Sequence, residues 1–250
     1  MKPIEINKEL ENLKVHQELA DGTLLYGWKS EPPLTPFAPS YEYHLSDKKI
    51  FSEEECKEWY VYLLKQEQIL LDKYRTSPLG DGGTGLGDTS ITSRFPHFNL
   101  LEFDFHLIPK LKTQILNGIK TILSVSDNTA WQETLYANSW FNVLRQGEGM
   151  NVHAHGAHKH TFYGFHLTIH AVETFTSYYP PWMAISGGSF NVPNKIGYLT
   201  LFPNFIPHSV SPNRYGDLRI SIAGDTYAST WLDVNQDGYK PKSVKLGKCS

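Results

Sequence analysis

The stretch WFNVLRQGEGMNVHAHG, residues 140–156, reads as a strand, a glycine turn and a second strand that carries two histidines. Side chains two apart on a strand point to the same side, so His153 and His155 converge there, whereas a helix would splay them. Two imidazoles aimed at one point have metal-ligand spacing, and packing alone gives little reason for such a pair behind a glycine turn. The same pattern continues outward. FYGFHLTIHAV, GSFNV, GYLTLF, HSVSP and LRISIAG are each of strand length and are separated by turn residues. They predict antiparallel strands in a sandwich or barrel, with no alternating helices of the kind a parallel sheet needs.

Six of the eleven histidines fall between 153 and 170. His158 and His160 flank Lys159 and read as solvated. His166 and His170 share the parity of one strand and are expected on one face, lying behind the metal ligands or touching substrate. The third ligand must come from elsewhere, and His208, after a strand and a proline-bracketed turn, is the best candidate. Imidazole suits iron, zinc, copper and nickel alike, so these residues do not name the metal.

Eleven residues beyond His208 stands Arg219, with Ser221 two further on and therefore on the same strand face. A buried guanidinium fork binds a carboxylate bidentately, and a neighbouring hydroxyl adds a donor. Together they make a site for a dicarboxylate whose other end reaches the metal. The plainer reading is a surface ion pair between Arg219 and Asp217 or Asp225.

The first half of the chain reads as helices and irregular segments. Ser52 before Glu53, Glu54 and Glu55 is a capping-box pattern, opening an amphipathic helix through Trp59, Tyr60, Leu63, Leu64 and Ile69. LIPKLKTQILNGIKTIL, 107–123, places Leu111, Ile115, Ile119 and Ile122 on one helical face, with Pro109 tolerated in the first turn. SPLGDGGTGLGDTSITSRF, 77–95, lacks the Gly-Lys-Ser/Thr ending of a phosphate loop and reads first as a mobile surface loop, with a lid over a site as the other possibility. Residues 20–45, rich in proline and aromatics, read as an extended arm lying across the domain.

The 250 residues fit one domain, with 1–130 as support and substrate cover, 131–230 as the β core and 231–250 as a C-terminal tail. A net charge of −3 and a pI near 6.4 offer no basic footprint for nucleic acid. Cys56 and Cys249, far apart in sequence, suggest a reducing compartment rather than a cross-linked scaffold, and the expectation is a cytoplasmic protein. Neither an export signal nor an apolar run of membrane-spanning length is visible.

GYLTLFPNFIPHSVSPNRYGDLRISIAGD, 197–225, resembles the closing pattern of the 2-oxoglutarate and iron(II)-dependent oxygenases, in particular prolyl-hydroxylase-like, phage and cyanobacterial members. The resemblance covers roughly residues 136–226. It implies a mainly β fold with flanking helices around a double-stranded β-helix, a cupin-like jelly roll. It further implies Fe(II) held by His153, His155 and His208, and 2-oxoglutarate held by Arg219 and Ser221. The implied reaction is hydroxylation of a C–H bond, with O2 consumed and succinate and CO2 released. Asn142 stands five before Gly147 and eleven before His153, the spacing of a cosubstrate-contacting asparagine in the DNA-repair demethylase branch. Leu144 stands where that branch has a tyrosine. The family's usual His-x-Asp is His-Ala-His here, which costs the site a negative charge. Residues 75–98 and the aromatic segment YYPPWM around Trp182 are the expected substrate cover. The substrate itself, a small molecule, an amino acid or a protein side chain, is not specified.

Two other readings stay open. Gly147, His153 and His155, then Gly197, Pro203 and His208, match cupin spacing, which would give a metal-dependent dioxygenase or isomerase without 2-oxoglutarate on the same fold. The first cupin motif continues, however, with a glutamate where this chain has Lys159 and His160. A non-catalytic metal- or ligand-binding β-sandwich is the third reading.

Overall fold

Period-two alternation builds two sheets. The computed structural model describes residues 15–30, 33–38, 40–77, 79–126, 132–155, 162–180, 188–228 and 242–249. Its elements are β1 (Val15–Glu18), β2 (Leu24–Lys29), β3 (Glu42–Lys49), α1 (Glu53–Lys73), α2 (Ile108–Val125), β4 (Thr134–Leu144), β5 (Met150–His153) and β6 (Tyr163–His170). Then follow β7 (Phe175–Tyr178), β8 (Phe190–Pro193), β9 (Tyr198–Pro203), β10 (His208–Val210), β11 (Arg219–Ala228) and β12 (Val244–Lys248). The large sheet runs β1-β2-β3-β9-β6-β11-β4-β12 and the small one β5-β10-β7-β8, with antiparallel pairing throughout. From β4 to β11 the chain crosses repeatedly between the sheets, which is the winding of a double-stranded β-helix.

The two faces of the large sheet differ in chemistry. Phe141, Val143, Leu167, Ile220 and Ile222 point outward and bury the apolar stripes of both helices: Trp59, Leu63 and Leu70 on α1, and Leu111, Ile115, Ile119 and Ile122 on α2. α1 starts where its cap dictates, since Ser52 Oγ accepts from the Glu55 amide and the Glu55 carboxylate accepts from the Ser52 amide. Its buried stripe ends on Leu70 and leaves Ile69 47% exposed, correcting the sequence reading by one position. The inward positions Asn142, His166, Thr168, Arg219, Ser221 and Asp225 are polar yet buried. Because burying polar groups is costly, a polar inner wall points to a liganded cavity rather than an ordinary core. An apolar plug of Trp28, Leu45, Tyr178, Val192, Phe202 and Ile206 fills the neighbouring space.

Several sequence expectations change. The segment read as an arm supplies β2 and β3, which extend the large sheet from β9, with Ser46 opposite Leu201. The presumed C-terminal tail contributes β12, paired on β4. β7 carries Thr176 and Ser177, both buried, so it lacks the alternation that would have announced it. A bulge opposite Ile220 and Ser221 reverses the parity of β6. His166 consequently faces the interior while His170 packs on the Tyr60 ring of α1, at 5.3 Å. Cys56 and Cys249 are both free. Among the described residues no helix is long and apolar enough to cross a membrane.

Gly197 shows how tightly the strands are joined to α1. Its φ is +81°, its amide donates to Thr168 O, its carbonyl accepts from Ile50 and Phe51, and an added Cβ would lie 2.3 Å from Phe51 O. Gly197→Ala is therefore expected to cost about 2 kcal/mol or more in a urea titration, through left-handed backbone strain plus a backbone clash. Asp47 on β3 carries a pH signature. It is 1% exposed, accepts from Thr200 Oγ1 at 2.9 Å through Oδ1, and has no partner for Oδ2. Burial pushes its carboxyl from 3.8 up to about 6, against the opposing pull of Thr200 and Lys195. The folded chain thus holds a proton that the unfolded chain releases, and stability falls as pH rises from about 4 to about 6. Replacement by Asn should remove that fall, about 2–3 kcal/mol by linkage. Denaturation at pH 4 and at pH 7.5 measures it, and equal pH dependence in both proteins would refute it.

Candidate metal centre

β5 and β10 lie side by side, and their register pairs His153 directly with His208. His155 sits just past the end of β5, where its amide donates to Asn204 O at 3.1 Å. Ring centroids are 4.4 Å apart for His153 and His208, 4.9 Å for His155 and His208, and 5.6 Å for His153 and His155. One nitrogen from each ring falls within 4.8 Å of the others.

Which nitrogen is free follows from the partners. His153 Nδ1 lies 2.8 Å from Asn151 O, His208 Nδ1 3.1 Å from Ile206 O, and His155 Nδ1 2.6 Å from Asp225 Oδ1. All three partners are pure acceptors, so Nδ1 carries the hydrogen in each ring, and in the neutral form Nε2 carries the lone pair. Burial and the neighbouring imidazoles lower the pKa of His153, and lower that of His208 strongly, which keeps both neutral as ligands must be. His155 goes the other way: burial opposes its charge, but the charge of Asp225 and its hydrogen bond outweigh burial and raise the pKa. Three converging nitrogen donors, with no fourth protein ligand among the described residues, fit a metal ion with open positions rather than a closed structural site.

The triad opens on a cavity of about 210 Å³ between the sheets, which Asn142, Arg219 and Ser221 also line. Arg219 is 2% exposed. Its Nη1 donates to Ser221 Oγ at 3.3 Å, its Nε has no partner, and no carboxylate among the described residues pairs with it. Asp225, weighed from sequence as a surface partner for Arg219, is buried and bound to His155 instead. Burial with no facing anion lowers the Arg219 pKa to about 10. Asn142 Nδ2 also donates to Ser221 Oγ, at 3.3 Å, and Asn142 Oδ1 accepts from Thr92 Oγ1 at 2.9 Å. Ser221 Oγ thus receives two donors and has its own hydrogen left to give. His166 lines the same cavity without joining the triad, its Nε2 2.8 Å from the Tyr178 hydroxyl.

The glycine-rich segment is no free surface loop. Asp81, Gly82, Thr84, Thr92 and Phe95 line the cavity, and Thr84 O accepts from the Asn151 amide at 2.8 Å. Buried Arg94 gathers the segment by donating to the carbonyls of Tyr74, Arg75 and Asp88. His158, His160 and Trp182 lie outside the described residues.

No family model and no curated protein sequence matches the chain. Solved structures do. The nickel complex of the non-haem monooxygenase ThoJ aligns over 80% of this chain and 78% of its own, at 10% identity and a TM-score of 0.54. The non-haem alpha-ketoglutarate-dependent carbocyclase SnoK, from nogalamycin biosynthesis, aligns over 82% and 91%, at 12% identity and a TM-score of 0.51. A Pseudomonas putida prolyl-4-hydroxylase aligns over 74% and 91%, at 11% identity and a TM-score of 0.48. The chain has the 2-oxoglutarate/Fe(II) oxygenase-like fold, a β-rich jelly roll.

Proposed function

We propose that the chain is a non-haem Fe(II)- and 2-oxoglutarate-dependent dioxygenase that hydroxylates a small molecule, an amino acid or a protein side chain. The observation that carries this reading is Arg219: a buried guanidinium without an anion, facing the same cavity as three convergent imidazoles. An uncompensated buried cation is costly, so its retention in such a cavity argues for an anionic ligand. A dicarboxylate with a keto acid at one end answers both halves of the site. Its far carboxylate receives the Arg219 fork and the Ser221 hydroxyl, and Asn142 holds Ser221 in place. Its keto-acid end would reach a metal held by His153, His155 and His208.

When bound, the iron supplies the oxidising chemistry that couples consumption of O2 and 2-oxoglutarate, giving succinate and CO2, to insertion of oxygen into a C–H bond. The chain's own contribution is placement and exclusion of water. Phe95 and Trp140 wall the cavity, and the segment pinned by Arg94 covers it. Cupin chemistry without a keto acid uses the same three histidines but leaves Arg219 without a role. Anaerobic titration with Fe(II) and then 2-oxoglutarate separates the readings. The proposal expects the weak visible charge-transfer band of the chelate; metal binding without that band would refute it.

A further inference from the structure

We propose that Asp225 is a positioning residue for the metal centre, acting through His155. The inference rests on the metal-centre reading above and extends it to a residue outside the ligand set. His153 and His208 each spend Nδ1 on the backbone carbonyl two residues earlier, so the adjoining backbone orients them. His155 has no such carbonyl. Its Nδ1 is held by a side chain 70 residues away in sequence, at 2.6 Å.

Asp225 is built to hold that bond. It is 7% exposed and lies within β11, paired with Asn138 on β4 and Gly164 on β6, so its backbone is fixed from both sides. Its other oxygen, Oδ2, accepts from the Tyr227 hydroxyl at 3.3 Å. Among the described residues no lysine or arginine pairs with it, and His155 is its one ion-pair partner. A buried carboxylate aimed at a single imidazole does two things. It fixes the tautomer with hydrogen on Nδ1, which turns the Nε2 lone pair toward His153 and His208. It also makes that nitrogen a stronger donor and returns to an otherwise neutral three-imidazole centre the negative charge the ligands themselves lack. The charge sits one residue behind the ion rather than on it.

The experiment combines a metal-free and a metal-loaded readout on wild type, Asp225→Asn, Asp225→Ala and Asp225→Glu. In the metal-free protein, at alkaline pH where the imidazoles are neutral, nitrogen-15 NMR should report the Nδ1–H form of His155 in wild type and a mixture of tautomers in Asp225→Ala, with His153 and His208 unmoved. Anaerobic Fe(II) and Co(II) titrations should then show affinity lowered about 10–100-fold in Asp225→Ala. Asp225→Asn keeps the shape without the charge and should fall between, and Asp225→Glu should recover part of the loss. Wild-type tautomer and metal affinity in folded Asp225→Ala and Asp225→Asn would overturn the proposal alone. Wild-type protein that binds neither metal would overturn the metal-centre reading and this proposal with it. Unchanged His153 and His208 signals serve as the check that a loss is not general unfolding.

Discussion

Arg219→Met is expected to weaken 2-oxoglutarate binding by about 100-fold or more while leaving Fe(II) affinity within about threefold. The magnitude follows from what is removed: a bidentate, charge-assisted contact in a buried site, whose truncation costs about 3–5 kcal/mol. The selectivity follows from position. Arg219 touches Ser221 and not the histidines, whose Nδ1 partners are Asn151, Ile206 and Asp225. An opposite sign is expected for stability without cosubstrate. The guanidinium has no anion to lose, so an apolar chain of similar length should leave the metal-free fold as stable as wild type or more so. Calorimetric titration of the Fe(II)-loaded protein, paired with melting of the metal-free form, reads both effects. Unaltered 2-oxoglutarate affinity would remove the central support of the proposed function. Equal losses of metal and cosubstrate would indicate a collapsed site instead.

The residues around β5 and β11 were legible in the sequence because strand parity is local. His153 and His155 stand two apart, as do Arg219 and Ser221, and the folded chain brings both pairs to one cavity. Continuing the same count from Ser221 reaches Ala223 and Asp225, so the carboxylate behind His155 was within reach of period-two reasoning. An acidic residue near an arginine reads instead as an ion pair between the two. What stayed hidden depends on contacts distant in sequence. His170 left the face predicted for it because a bulge against β11 breaks the parity of β6, and a bulge leaves no mark in a run such as HLTIH. β2 and β3 were masked by the prolines between them, although LLYGWK itself is strand-like and supplies Trp28 and Tyr26 to the small inner core. The role of the glycine-rich segment rests on Arg94, whose three backbone partners lie at Tyr74, Arg75 and Asp88. Its glycine content gave no hint that a buried cation organises it.

His208→Ala is expected to abolish the centre, and the contrast with His166→Asn makes the expectation specific. Zinc-finger peptides bind their metal with roughly 10–16 kcal/mol over four ligands, so removing one of three donors here should lower Fe(II) affinity by at least about 100-fold and eliminate the charge-transfer band and turnover. His208 is the histidine the other two converge on, with centroids 4.4 and 4.9 Å from theirs, and no other described histidine joins the group. His166 is equally buried and lines the same cavity, yet its Nε2 is engaged by the Tyr178 hydroxyl. Burial, reinforced by the Arg219 charge, holds its pKa down near 3, so it is a neutral imidazole that lines the cavity outside the triad. His166→Asn should therefore keep Fe(II) affinity near the wild-type value and change only the response to 2-oxoglutarate. Added imidazole should restore part of the metal binding of His208→Ala, because the vacated volume lies beside two ligands whose orientation is set by their own carbonyl and carboxylate partners. If His166→Asn lost the metal and His208→Ala retained it, the ligand set would have to be redrawn around His166.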